Sequence, residues 1–101
     1  MILTTTTDSI EGREVAEYLG VVSGECVYGP KLMQDWFNSL SEVIGGYEKV
    51  LREGKEAAMQ AMIELAEKRG ADAIVGIDLD YGNFGEKLLM VSANGTAVKL
   101  R

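Results

Sequence analysis

From Glu14 to Tyr28 the chain carries apolar side chains on both sides of what reads as one extended strand, and no other feature limits the fold as much. Counting alternate residues, Val15, Leu19, Val21 and Val27 share one face, and Ala16, Tyr18, Val22, Cys26 and Tyr28 the other. A strand that is apolar on both faces is expected to be covered on both faces. A 101-residue chain is one domain, residues 1–101. A domain of that size buries only about 60–65% of its unfolded surface. Since 47% of the residues are apolar, part of that surface is expected to be buried between copies of the chain. Gly20 and Gly24 fall on the second face and predict a bulge or a close approach by another element.

The remaining segments follow from their periods. Thr4 to Asp8 is rich in threonine and reads as a short strand that turns at Asp8-Ser9, with Glu11-Gly12-Arg13 continuing the turn. After Gly29-Pro30, the residues Met33, Trp36, Phe37, Leu40 and Ile44 recur at helical spacing, and Gly45-Gly46 stops that helix. A second helix begins at Tyr47. Its stripe is Tyr47, Leu51, Ala58, Met62, Leu65 and Arg69, with Gly54 as a weak point inside it and Gly70 as its cap. Ala71 to Tyr81 alternates as a strand, with Ala73, Val75, Ile77, Leu79 and Tyr81 expected to face the core. Gly82-Asn83-Phe84-Gly85 reads as a hairpin loop, and Lys87 to Ala93 as the return strand. Asn94-Gly95 allows either a second turn or a bulge; the extended character of Thr96 to Leu100 favours a bulge in one long strand. The expected fold is therefore α+β, in the order β-β-α-α-β-β, with a mostly antiparallel sheet and two helices on one face.

Charge and composition remove several functions. Sixteen acidic residues against ten basic give a net charge of −6. Nucleic-acid binders show a basic footprint, and anionic membranes attract one, so neither is an expected partner. One cysteine cannot close an intrachain disulfide, and the first residues show neither a basic leader nor a long apolar run. Cytoplasmic residence is the expectation. The chain has no histidine, which rules out Ser/His/Asp and Cys/His catalytic sets. Neither Gly82-Asn83-Phe84-Gly85 nor Gly24-Glu25-Cys26-Val27-Tyr28-Gly29 ends in the Gly-Lys-Ser/Thr of a phosphate loop.

Four residues are left as candidates for chemistry. Asp78 and Asp80 lie two apart on a strand and so share a face, as a hard-cation site or an acid/base pair requires. The plainer reading is a solvated acidic edge. Glu25 joins them if its strand is their neighbour. Cys26 offers a soft thiolate, suited to zinc or copper(I). One thiolate is not a site, although a ring of them about a symmetry axis could be, and a free cysteine commonly serves as a small buried apolar side chain. The methionines read as core filling, and Trp36-Phe37 as core rather than a platform for a flat ligand.

Taken together, the segments also resemble a known family. Thr5-Thr6-Thr7-Asp8-Ser9-Ile10-Glu11-Gly12 followed by Glu17-Tyr18-Leu19-Gly20-Val21-Val22-Ser23-Gly24-Glu25 is similar to the YbjQ-like family, which is labelled heavy-metal-binding. So are Gly70-Ala71-Asp72-Ala73-Ile74-Val75-Gly76-Ile77-Asp78-Leu79-Asp80-Tyr81, and Leu89-Met90-Val91-Ser92 with Gly95-Thr96-Ala97-Val98. The resemblance implies a dodecin-subunit-like fold and a homopentameric ring, with no agreed ligand set to carry over. Three departures stand out: Gly45-Gly46 runs directly into Tyr47-Glu48 where many relatives carry a short Arg-Ser-containing insert, the hairpin at Phe84 is short, and Cys26 stands where relatives often carry a small apolar residue. The expected function is a homo-oligomeric binding protein that takes a divalent or heavy metal ion or a small ligand between subunits. The alternatives are a carboxylate-dependent hydrolase or lyase using Asp78 and Asp80, or a structural assembly without a ligand. An enzyme is the less favoured class.

Overall fold

The computed structural model describes residues 2–29, 46–83 and 89–101. Four strands and one helix are placed in them: β1 (Leu3–Thr4), β2 (Val15–Tyr28), α1 (Gly46–Lys68), β3 (Ala73–Asn83) and β4 (Leu89–Leu100). The first predicted helix, with Met33, Trp36, Phe37, Leu40 and Ile44, lies outside the described residues, as do Phe84 and Gly85 of the predicted loop. The strands form one sheet in the order β1-β3-β4-β2. β4 runs antiparallel to both of its neighbours, while β1 pairs with β3 in parallel, through Leu3 with Ala73 and Thr4 with Ile74. The sheet is therefore mixed.

α1 lies across one face of the sheet. Its buried stripe, Ala58, Met62 and Ala66, packs on Val22, Ile74, Ile77, Val91, Ala93 and Ala97. Two glycines permit the approach. A β-carbon on Gly24 would run into the carbonyl oxygen of Ala58 and lie 2.6 Å from the amide nitrogen of Met62, so helix backbone sits directly on strand backbone. Gly54, expected only to weaken the helix, is where the Tyr28 ring and Val91 press on it; an added β-carbon would meet them at 3.2 and 3.0 Å. The helix ends as expected. Gly70, at φ +78°, donates to the Glu67 carbonyl at 3.0 Å, and Ala71 donates to that of Ala66 at 3.1 Å. This is the Schellman pairing that satisfies two terminal carbonyls.

The opposite face has a smaller core. Ala73, Val75 and Val98 are buried there, packed with Ile10, Val15 and Leu100. This corrects one expectation about β3. Ala73 and Val75 do not share a face with Ile77 and Leu79; Ile74 does, and it packs under the helix. The register against β4 slips between Val75 and Asp78, where Gly76 takes φ +62°. Each such bulge reverses the alternation of everything beyond it. The bulge foreseen at Asn94-Gly95 thus belongs to the strand opposite. β4 itself is one unbroken strand whose pairing to β2 is regular through Ser23-Asn94 and Val22-Gly95. Gly95 leaves room for the bulge, since a β-carbon there would lie 2.6 Å from the Ile74 side chain.

The threonine-rich start fastens the β3 bulge. Gly76 donates to the Thr7 carbonyl at 2.8 Å and Ile77 to the Thr5 carbonyl at 3.1 Å. Thr7 Oγ1 donates to the Ser9 carbonyl at 2.6 Å, which commits its proton, so Thr5 Oγ1 is the donor in the 2.7 Å contact between the two hydroxyls.

β2 carries two register shifts of its own, between Val15 and Glu17 and between Tyr18 and Gly20. Gly20 takes φ +97° at the second. Arg69, just past the end of α1, donates through Nη1 to the carbonyls of Leu19 at 3.3 Å and Val21 at 2.9 Å. Both expectations for the β2 glycines are met, the bulge at Gly20 and the close approach at Gly24. The element that covers the Gly24 side is the chain's own helix rather than another copy.

Candidate functional site

The registers place each candidate residue. On the face away from α1, Asp78 pairs with Asn94 and Asp80 with Ser92, while on the other side of β4 Ser23 pairs with Asn94 and Glu25 with Ser92. Asp78 and Asp80 therefore share a face, as their spacing of two expected, and the pairings through β4 put Glu25 on the same face. Glu25 is not on the neighbouring strand, because β4 intervenes. Two strand spacings separate it from Asp80, roughly 10 Å between backbones. All three carboxylates are exposed. Asn94 Nδ2 and Ser92 Oγ lie 3.5 Å apart between them.

Asp78 and Asp80 act on each other. The negative charge of Asp78 holds the Asp80 carboxyl above its ordinary value, with smaller contributions from loss of solvent and from a hydrogen bond with Asp78. Two like charges on adjacent same-face positions repel, and a proton or a cation between them would relieve that repulsion. Oxygen donors of this kind suit hard cations such as calcium or magnesium.

Cys26 lies on the other face. It is half-buried against Tyr28, Val50 and Leu89, beside Leu51. Tyr28 Oη donates to the Val50 carbonyl at 3.3 Å. Burial raises the tyrosine to about 12, assisted by a hydrogen bond with Cys26 and by the negative charge available to Cys26 and to Glu53. The sheet thus separates the thiol from the carboxylates, and the four candidates do not form one site. Among the described residues, no three Cys, Asp or Glu side chains come together as ion ligands.

One surface feature went unread in the sequence. Tyr18, Val21 and Val27 lie along β2 on the carboxylate face and are 73%, 70% and 53% exposed. β2 is the outer strand of the sheet, so these side chains stand along its margin, with Ser23 and Glu25 between Val21 and Val27 on the same face. The residues were legible as apolar, but their exposure was not, because the count treated both faces of β2 as covered.

The chain as a whole has known relatives. A family model described as "Putative heavy-metal-binding" matches residues 1–101. A UPF0145 protein of Anoxybacillus flavithermus is 43% identical over 104 aligned positions covering 99% of both chains. Another, from Bacillus cereus, is 44% identical over 98% of this chain and all of its own. A crystal structure of a Pediococcus pentosaceus protein of unknown function, assigned to the DUF74 family, superimposes with a TM-score of 0.60. That comparison covers 99% of this chain and 98% of the other at 17% identity, and so speaks for the fold alone. No helix among the described residues is long and apolar enough to cross a membrane. From end to end, this chain belongs to the YbjQ_1 family, whose curated relatives carry the name UPF0145.

Proposed function

We propose that this protein works as a homo-oligomeric binding protein of the cytoplasm, a ring of copies that takes a metal ion or small ligand between subunits. The observation that carries this reading is the exposed margin of β2. Three large apolar side chains stand on a 14-residue outer strand, mostly open to water. A contact between copies along this margin would bury these side chains. The elongated form is in keeping: the radius of gyration is 16.1 Å, against about 13 Å for a compact 100-residue domain. The pentameric, dodecin-like order is the one that the family resemblance implies.

The ligand reading rests on placement. Glu25 stands at one margin of the carboxylate face and the pair Asp78 and Asp80 at the other, at matching heights on β4. Copies side by side would gather acids that one chain keeps apart. Such a site is made of oxygen donors and suits a hard divalent cation better than a soft heavy metal. The hydrolase or lyase alternative finds less support, since Asp78 and Asp80 stand on an open face and not in an enclosed pocket.

Native mass spectrometry of untagged protein, with elemental analysis of the same sample, tests the proposal. An oligomer carrying stoichiometric metal or added mass supports it. A bare oligomer removes the ligand, and a monomer at micromolar concentration removes the assembly.

A further inference from the structure

Among the described residues, the two margins of the sheet are each half closed and half open. On β2, the bulges and the Arg69 guanidinium occupy the stretch up to Val21. The stretch Val22–Val27 has no bulge, proline or lysine, the usual devices that keep an outer strand from pairing. On β3, β1 and the threonine turn take the backbone as far as Ile77. Asp78–Asn83 pairs only with β4 among the described residues.

The two open halves match in three ways. They are similar in length. They run in the same direction, since β2 and β3 are each antiparallel to β4. They also lie at the same height: Val22–Val27 pairs with Gly95 down to Met90, and Asp78–Asn83 with Asn94 down to Leu89. Rotation about an axis along the strands preserves direction, and a rotation without rise closes a ring instead of winding a filament. We infer that the open half of β2 in one copy pairs in parallel with the open half of β3 in the next, and that this head-to-tail join closes the ring. The inference rests on the assembly proposed above and names its contact. A twofold dimer would instead set β2 against β2, antiparallel, and leave β3 open.

The join has a chemical consequence. Glu25 and Asp80 both pair with Ser92, so at equal height Glu25 of one copy stands beside Asp80 of the next. Like charges directly opposite on neighbouring strands repel. The row of Glu25, Asp80 and Asp78 thus meets at the seam, where a shared proton or cation would relieve it.

Disulfide trapping tests the join in the full chain on a Cys26→Ala background. Neighbouring strands place paired residues about 5 Å apart, within disulfide reach. Glu25→Cys with Asp80→Cys in the same chain is expected to give, on mild oxidation, a covalent ladder up to the full ring in denaturing electrophoresis. Each single variant is expected to stay unlinked. Val27→Cys with Gly82→Cys, which share Met90, is a second pair in case the first does not fold. An intact oligomer in which neither pair links, or a Glu25→Cys single variant that links to itself, overturns the join. A monomer in native mass spectrometry instead overturns the assembly on which the join rests.

Discussion

Substituting Gly24 by alanine tests how closely α1 is seated on β2. The new methyl would overlap the Ala58 carbonyl oxygen and lie 2.6 Å from the Met62 amide nitrogen and 2.9 Å from the Ala61 β-carbon. Two of these three atoms are helix backbone, so no rotamer change relieves the clash. The helix must rise until the Met62 contact reaches at least the 3.4 Å of ordinary packing. A gap of 0.5–1 Å forfeits roughly a quarter to a half of each dispersion contact across it. Ala58, Met62 and Ala66, fully buried against Val22, Val91 and Ala93, all lie along that seam. Overpacking of this kind costs about 1–3 kcal/mol, and a backbone clash belongs near 3. The smaller entropy of the unfolded alanine chain returns about 0.4–1 kcal/mol. A net loss of about 2 kcal/mol lowers the midpoint of a domain this size by roughly 8–16 °C. Gly29→Ala is the control, because nothing lies within 4 Å of its added carbon. The assay is thermal and urea unfolding followed by circular dichroism at one fixed protein concentration, since any assembly would add a concentration dependence. If Gly24→Ala unfolds within about 0.5 kcal/mol of the parent, the range of an ordinary surface change, the backbone contact is not where the structure puts it.

Two further outcomes follow from titration. Tyr28 ionises near 10 when unfolded and near 12 in the fold. The native state therefore holds the proton longer, and this contribution to stability is complete below pH 10 and lost as pH rises toward 12. Ultraviolet absorbance should show a late phenolate that Tyr28→Phe removes, and the same variant should flatten the alkaline loss of stability; a Tyr28 that titrates near 10 refutes the burial argument. Asp80 has a raised folded value because of Asp78, so its contribution favours the fold at acid pH and fades as pH rises through the Asp80 titration. Carboxyl NMR should place Asp80 above 3.8 in the parent and lower in Asp78→Asn; no change on removing Asp78 would sever the proposed coupling.

Much of this fold was legible because local chemistry and tertiary context agree. Gly70 after a helical stripe, and Gly20 and Gly24 on a strand, carried a structural meaning that survived. Ile74 was misplaced for one reason. Period-two counting carries parity forward, so a single bulge at Gly76 inverts every residue on one side of it. A glycine between Val75 and Ile77 was the signal available. The candidate site divided along the same line. Asp78 and Asp80 are both beyond the bulge, and their relation to each other was safe. The place of Glu25 depended on strand order, and the order β1-β3-β4-β2 is written in pairings between distant residues that no local period encodes.

The parallel pairing of β1 with β3 also sets a timetable. Leu3 and Thr4 find their partners only at Ala73 and Ile74, some seventy residues further along. During synthesis, the opening residues must wait unpaired until most of the chain has been made. Closing so long a loop is entropically slow, and contacts of this separation lower folding rates. The threonine turn that rides with β1, and the Ile10 side of the smaller core, are then the last pieces to seat. Refolding experiments should find the helix-side core protected from hydrogen exchange before the amides of Gly76 and Ile77, whose acceptors arrive with that late segment.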